Sequence, residues 1–420
     1  MRLVRVAAFR IFEENFAIMI KELTINNFRS IREGTLELGK FTVLNGANNS
    51  GKSSVLYALQ VLKNVVTNPN RSVDELLNLG FLNLGGLESA SYLQKVKDLR
   101  VMISVSQEEI EINYGASLRE KWNYLLIRGV EPYKFNEVIS VSFPYALNKT
   151  VPIKLDNERF SLMWNGIQPT NIEINSSTRQ PRRKEHAIDK ISNLIVAPIN
   201  SLYASDIIPT HRGFTKPIFN QIPLNGSIQT EDEVATHLAI DKTLQSKVSH
   251  YFEKITGKRF SVSMSPGVGF FYLQVREPDT PFTTELVNQG MGTNQILFLL
   301  AKILYDKNRL ICIDEPEIHL HPALIERFMQ VLVEISEKED KQFIFSTHSE
   351  HLLMSLLAEV YEEKLAANDL KVYFLQKEGA ETTIEPQEVQ PNGQINGGLK
   401  NFLGTQMRLA QRFFPTEANV

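Results

Sequence analysis

The sequence has little of several features that would mark a specialised class of protein. Among its 420 residues there is one cysteine, Cys312, so an internal disulfide framework is excluded and a cytoplasmic location is expected. No apolar run approaches the length that spans a membrane, so we expect no membrane partner. The net charge is only −3, so any nucleic-acid site must be a local patch and not the whole surface.

The composition is that of an ordinary soluble protein, with 43% hydrophobic and 22% charged residues. The length allows two or three subdomains around a substantial core. Residues 1–18 contain two glutamates and no small-residue cleavage site, so a signal peptide is not expected. We interpret them as an N-terminal extension, with Met19 as an alternative start before the first convincing strand.

The most informative stretch ends an apolar run with two acids. Leu310–Ile313 predicts a strand buried on both faces of a parallel sheet, and Asp314 and Glu315 follow it directly. Carboxylates at the C-terminal edge of such a sheet lie where ligands bind. Taken alone, the stretch could also be a strand that ends in a charged loop.

A second stretch, GANNSGKS at residues 46–53, matches the phosphate loop G-x-x-x-x-G-K-[ST]. The run Lys40–Leu44 before it predicts a strand, and Ser53–Val65 after it predicts an amphipathic helix. The main-chain amides of a glycine-rich loop and the N-terminus of a helix together favour the binding of phosphate. The residues expected to bind ATP here are Asn45, Gly46, Asn48, Asn49, Ser50, Gly51, Lys52, Ser53 and Ser54.

The two stretches together suggest a division of chemical roles. Lys52 would reach the β- and γ-phosphates, and Ser53 and Asp314 would hold Mg²⁺. Glu315 would act as the base, or would polarise the attacking water, because that role needs a carboxylate beside the metal. ATP and Mg²⁺ are therefore the expected cofactors.

The rest of the chain predicts an α/β protein with additions. We expect a first part of the ATPase core at residues 19–98, a β-rich antiparallel insert at 99–187, and a helical and hairpin subdomain at 188–282. A second core part would span residues 283–375, and a C-terminal tail 376–420. The insert has no sustained heptad pattern and so predicts no coiled-coil arm.

One cluster of basic residues and one further arginine are candidates for contacts with phosphate. The cluster Arg179, Arg182, Arg183 and Lys184 could be a patch that contacts nucleic-acid phosphates, or a solvated loop. Arg212, after IIPTH, could contact the nucleotide or form a structural ion pair.

The stretch LVNQGMGTNQ, residues 286–295, leads into an apolar helix, Ile296–Leu304. Its paired glycines could form an anion site rich in N–H groups, or a turn that caps a core helix. His348 follows a strand predicted at Gln342–Ser346, where an imidazole could hydrogen-bond a γ-phosphate or be structural.

The order of GANNSGKSS, NQGMGTNQ, ICIDEPEIHLHP and FIFSTHS resembles the ATP-binding-cassette (ABC) class of AAA ATPases found in overcoming-lysogenization-defect (OLD) proteins. INNFRSI, before the phosphate loop, is similar to the same family and more distantly to RecF and the SMC heads. The resemblance implies an ABC-type P-loop head with a mixed, mainly parallel central sheet. OLD proteins also carry a C-terminal TOPRIM nuclease, whereas the residues after His348 contain no D-x-D.

The resemblance also implies roles for individual residues. Gly290, Gly292 and Thr293 match the signature loop that contacts ATP held by the opposite protomer, although Asn288 and Gln289 replace the Leu-Ser of LSGGQ. His348 matches the switch histidine. The positions that match the inter-protomer loop are Glu317, His319 and His321. The H-x-H pair leaves zinc as an alternative that lacks apparent further ligands.

A site shared by two chains implies a homodimer, or a higher oligomer, with ATP at its interface. We therefore expect an ATPase whose closing and opening control a separate effector, a nuclease or toxin, in bacterial anti-phage defence. One alternative is a RecF-like accessory ATPase of DNA repair. Another is a scaffold that binds ATP without hydrolysing it.

Overall fold

The computed structural model describes residues 18–396 and 398, apart from residues 69, 96, 108, 130–135, 143–148, 156–157, 175–180, 225–227, 266–268 and 281. The expectations for residues 1–17 and for the end of the tail lie outside the described residues.

The strands, in chain order, are β1 Ile20–Phe28, β2 Ile31–Glu37, β3 Phe41–Gly46, β4 Arg100–Gln107, β5 Ile110–Ser117, β6 Trp122–Gly129, β7 Asn136–Ser142, β8 Lys149–Leu155, β9 Glu158–Trp164, β10 Pro169–Ile174, β11 Ser205–Ile208, β12 Phe219–Asn220, β13 Arg259–Met264, β14 Phe270–Arg276, β15 Thr283–Glu285, β16 Leu310–Asp314, β17 Gln342–Thr347, β18 Leu370–Glu378 and β19 Glu381–Gln387. The helices are α1 Lys52–Thr67, α2 Val73–Leu76, α3 Leu87–Ala90, α4 Pro181–Tyr203, α5 Glu231–Ile240, α6 Lys242–Thr256, α7 Met291–Ile303, α8 Pro322–Glu339 and α9 Glu350–Tyr361.

The chain folds into two compact units. Among the described residues, those within 1–39, 49–205 and 375–385 form the first unit, and those within 40–48, 206–374 and 386–420 form the second. The boundary between them falls inside the phosphate loop, so Lys52 and Ser53 belong to the first unit and Asp314, Glu315 and His348 to the second.

The first unit is built on an antiparallel sheet in the order β2-β1-β4-β5-β6-β7 and a smaller sheet, β10-β9-β8. Alternating apolar residues bury one face of β1 and of β4, as the sequence pattern predicts. Because β4 pairs with β1, the expected insert at 99–187 continues the sheet that begins at the N-terminus. Strand order depends on pairing between distant segments, which the local pattern does not reveal.

The second unit contains the sheet order β11-β16-β17-β3-β18, and β18 continues into the hairpin with β19 in the first unit. Strands β16, β17 and β3 run parallel, and every residue in them is buried. Phe41 and Phe343 stack with ring centroids 5.2 Å apart. This confirms the buried, mainly parallel core sheet expected from Leu310–Ile313.

The helical part of the second unit contains two consecutive helices. Asp241 ends α5 and caps the start of α6, so the apolar residues between Asp232 and Ile255 lie on two helices. The Asp241 carboxylate accepts hydrogen bonds from the amides of Thr243 and Leu244. The expected hairpin of β13 and β14 is present. Within the described ranges no helix combines the length and apolarity needed to cross a membrane.

Candidate nucleotide-binding site

The site is built on the aligned ends of three parallel strands in the second unit. Asp314 at the end of β16 is in register with Ser346 of β17, and Thr347 of β17 is in register with Asn45 of β3. Asp314 and His348 therefore leave the sheet at the same edge as the phosphate loop, which begins at Gly46. This is the edge where α/β sheets bind ligands.

The second half of the phosphate loop lies in the first unit and ends in helix α1. Gly51 has φ +99°, a left-handed conformation that only glycine adopts at little cost. Lys52 and Ser53 begin the helix, and its first turn contains no acidic residue. Lys52 is 5% exposed. The helix N-terminus thus provides amides and favourable dipole potential for an anion.

A contact from β19 shapes this loop. Thr382 Oγ1 in β19 lies 3.0 Å from the carbonyl oxygen of Ser50 and 2.8 Å from Ser30 Oγ, within hydrogen-bond distance of both. A Cβ at Gly51 would lie 2.6 Å from Thr382 Oγ1. Gly51 is therefore required both by its φ and by the close approach of Thr382. Sequence reasoning missed Thr382, since 332 residues separate it from Ser50.

We expect Thr382→Val to weaken Mg-ATP binding by about tenfold and to lower stability by about 1 kcal/mol, because the Ser50 carbonyl loses its buried donor. Calorimetric titration and thermal unfolding measure the two effects. Thr383→Val is the matched control, since its hydroxyl donates to Gln376 O, 3.1 Å away, in the hairpin. Equal affinities of the two variants would show that this contact does not hold the loop.

The acidic turn after β16 holds Glu315 in an unusual conformation. Glu315 has φ +49°, and its amide donates to Ser346 O over 2.7 Å. Its Oε1 lies 3.4 Å from His348 Nδ1. The His348 side chain is 50% exposed, and that of Glu315 is 25% exposed. Base candidate and imidazole therefore lie side by side with access to solvent.

Glu317 connects this turn to the end of β17. Its Oε1 accepts hydrogen bonds from Thr347 Oγ1 at 2.6 Å and from the amide of His348 at 3.1 Å. The same oxygen lies 3.5 Å from His348 Nδ1. Glu317 thus fixes the backbone that carries His348. The family resemblance implied for Glu317 only a place in a loop toward another protomer.

Arg212 lies beneath the acidic turn and is 9% exposed. Its Nη1 donates to Pro209 O at 2.9 Å and Asp314 O at 2.7 Å, and its Nη2 donates to Glu315 O at 2.7 Å. Burial lowers the pKa of Arg212 to about 10, while the carboxylates of Glu317, Asp314 and Glu315 oppose that shift. The guanidinium is therefore charged at neutral pH, and its hydrogen bonds go to main-chain oxygens.

The glycine loop before α7 packs on the turn after β16. Gly290 precedes the helix, and Gly292 and Thr293 lie in its first turn. A Cβ at Gly292 would lie 2.5 Å from His319 O, so only glycine fits there. His321 caps α8 through a hydrogen bond from the amide of Ala323. Among the described residues no group of three or more His, Cys, Asp or Glu side chains could hold a metal ion, so the zinc alternative gains no further ligands.

Buried polar atoms near the strand ends fit a ligand rich in hydrogen-bonding groups. Asn45 Nδ2 in β3 and Ser346 Oγ in β17 are buried and have no hydrogen-bond partner among the described residues. Such groups are costly unless a ligand or water satisfies them. The residues present are therefore compatible with a nucleotide.

The basic cluster is only partly described. Arg182, Arg183 and Lys184 fall at the start of α4, and Arg179 lies outside the described residues. Its role in binding nucleic acid stays a prediction.

Comparison with known proteins gives relatives across most of the chain. The Old nuclease of Escherichia phage P2 is 24% identical over 397 residues, a match to 84% of this chain and 59% of the relative. An ATP/GTP phosphatase of Helicobacter pylori is 20% identical over 378 residues, covering 86% of this chain and 93% of the relative. The chain therefore spans about three fifths of the length of the phage protein.

Among solved structures, the SMC head domain from Thermotoga maritima matches 89% of this chain and all of its own length, with 13% identity and a TM-score of 0.45. The family model described as AAA ATPase domain matches residues 19–353, which include the phosphate loop, the acidic turn and His348. The chain therefore belongs to the AAA ATPase domain family.

Proposed function

We propose that the chain binds Mg-ATP at this edge of the sheet and hydrolyses it. The observation that carries the proposal is the register of β16, β17 and β3, which aligns Asp314, His348 and the start of the phosphate loop. Asn45 Nδ2 and Ser346 Oγ, which are buried and have no partner in the described part of the chain, support a polar ligand at the same edge.

In this proposal the phosphate loop, from Asn45 to Ser54, binds the phosphates, and Lys52 neutralises part of their charge. Ser53 and Asp314 would hold Mg²⁺, which supplies charge neutralisation between the phosphates when bound. Glu315 accepts a proton from the attacking water. His348, 3.4 Å from Glu315, hydrogen-bonds the γ-phosphate and distinguishes ATP from ADP.

We further propose that the loop Gly290–Thr293 contacts ATP held by a second copy of the chain. Gly290 has open space where a Cβ would stand, and Met291 is 55% exposed. The first-turn amides of α7 are suited to an anion that approaches from outside the protomer. Loss of the γ-phosphate would then weaken the dimer.

The output of such a switch would be control of a separate effector. The phage P2 relative is an Old nuclease, which favours a nuclease as that effector. We propose anti-phage defence as the setting.

Lys52→Ala tests the nucleotide site directly. We expect the affinity for Mg-ATP to fall by about tenfold to hundredfold, because a charge-assisted contact to phosphate is lost, and turnover to be undetectable. Isothermal titration calorimetry and phosphate release measure the two effects. Lys95→Ala, at an exposed lysine of the same unit, is the control. If Lys52→Ala binds Mg-ATP as tightly as the control, the proposed site is wrong.

A further inference from the structure

We propose that Arg212 is a positioning residue for hydrolysis. It hydrogen-bonds the main chain at Asp314 and Glu315 and so determines the direction of the Glu315 carboxylate. The inference rests on the proposed ATPase function. Arg212 comes from the loop after β11, and 102 residues separate it from Asp314. Arg212 therefore comes close to the acidic turn only when the chain is folded.

The first step is the geometry of the hydrogen bonds. The two terminal nitrogens of Arg212 donate to the successive carbonyl oxygens of Asp314 and Glu315, both at 2.7 Å. A guanidinium is a planar fork whose donors point in fixed directions, so two bonds to adjacent carbonyls fix the orientation of both peptide groups. A lysine has one nitrogen and cannot reproduce this planar pattern.

The second step is the strain at Glu315. A non-glycine residue at φ +49° costs about 1–2 kcal/mol and persists only where surrounding contacts hold it. The amide of Glu315 is held by Ser346 O at 2.7 Å. Its carbonyl is held by Arg212 at 2.7 Å and by the amide of Ile318 at 3.2 Å. Arg212 is thus the one side chain among these contacts, and the φ of Glu315 decides where its carboxylate points.

The third step separates positioning from direct contact with nucleotide. Both terminal nitrogens of Arg212 are bonded to main-chain oxygens, and the residue is 9% exposed. Because these nitrogens already donate to the main chain, we infer that Arg212 affects hydrolysis indirectly, by positioning Glu315. Loss of Arg212 should therefore lower kcat and leave the affinity for Mg-ATP nearly unchanged.

The test compares Arg212→Lys with Arg259→Lys, at an exposed arginine of the same unit that pairs with Glu253. We expect kcat of Arg212→Lys to fall by about tenfold to hundredfold, as for a misplaced catalytic group, with a Kd for Mg-ATP within about twofold of the wild type. In the Glu315→Gln background, the same change should produce no further fall. Methylguanidinium should raise kcat of Arg212→Ala several-fold and leave Arg259→Ala unchanged.

An Arg212→Lys variant that folds and retains wild-type kcat overturns the inference, as does a full additive loss in the Glu315→Gln background. A large rise in Kd with unchanged kcat would mean direct contact with nucleotide and would also overturn it. If Arg212→Lys is insoluble, Arg212→Gln is judged by the same criteria. Absence of turnover in the wild-type chain would instead contradict the proposed function.

Discussion

Glu315→Gln is expected to lower the kcat of ATP hydrolysis by about 10²- to 10⁴-fold while Mg-ATP still binds, because an amide keeps the shape of the carboxylate but cannot accept a proton from water. The side chain is partly exposed and lies 3.4 Å from His348 Nδ1, which places it where solvent can reach it. Phosphate release under saturating Mg-ATP measures kcat, and calorimetry measures binding.

Glu326→Gln is the matched control, since Glu326 is an exposed glutamate on α8 in the same unit. It should leave both quantities unchanged. Wild-type turnover that survives Glu315→Gln would assign the base role to another group. A wild-type chain that binds Mg-ATP and never turns it over would support the alternative of a non-hydrolysing scaffold.

The same variant tests the proposed dimer. With hydrolysis blocked, Glu315→Gln should hold ATP and remain a dimer in size-exclusion chromatography with Mg-ATP, whereas ADP should give the monomer. A variant that binds ATP but elutes as a monomer with both nucleotides would contradict a site shared between two copies.

Much of this site follows from local sequence patterns. Three features of the site depend only on residues close together in the sequence, so they can be predicted from it. They are the apolar run before Asp314, the glycine spacing around Lys52 and the helix that follows Lys52. Burial of β16 and β3 confirms those strands. The AAA ATPase domain match over residues 19–353 agrees with the order of the motifs.

The contacts that support the site could not be predicted in this way. Arg212 contacts the acidic turn and Thr382 contacts the phosphate loop, each from a distant part of the chain. The periodicity of apolar residues carries no information about such long-range contacts. The pairing of β4 with β1 is equally non-local. From the sequence, Arg212 could either contact the nucleotide or form an ion pair. The structure shows a third arrangement, hydrogen bonds to main-chain carbonyls.

A buried lysine behind the parallel strands leads to the largest expected effect on stability. Lys341, just before β17, is 1% exposed, and its ammonium donates to Tyr305 O at 3.0 Å and Asn308 O at 2.7 Å. Burial, together with the positive charge of Arg309, lowers the pKa of Lys341 to about 7, although nearby acids oppose the shift. These acids are Glu339 and Asp306.

The unfolded chain keeps this proton up to a pH near 10.5, whereas the folded chain releases it near pH 7. Between these values the unfolded state binds more protons, so raising the pH should stabilise the fold. From pH 7 to pH 9 the contribution of Lys341 to the free energy of unfolding should rise by about 2 kcal/mol.

Lys341→Met should remove this rise, because a thioether of similar length does not titrate. Urea unfolding of wild type and variant, followed by circular dichroism at several values between pH 7 and pH 9, measures the difference. Lys377→Met, at an exposed lysine on β18, should keep the wild-type slope. At any single pH, methionine also leaves the carbonyls of Tyr305 and Asn308 without the ammonium donor, so the slope and not the absolute stability is decisive. Parallel slopes for the wild type and Lys341→Met would mean that the buried ammonium keeps an ordinary pKa.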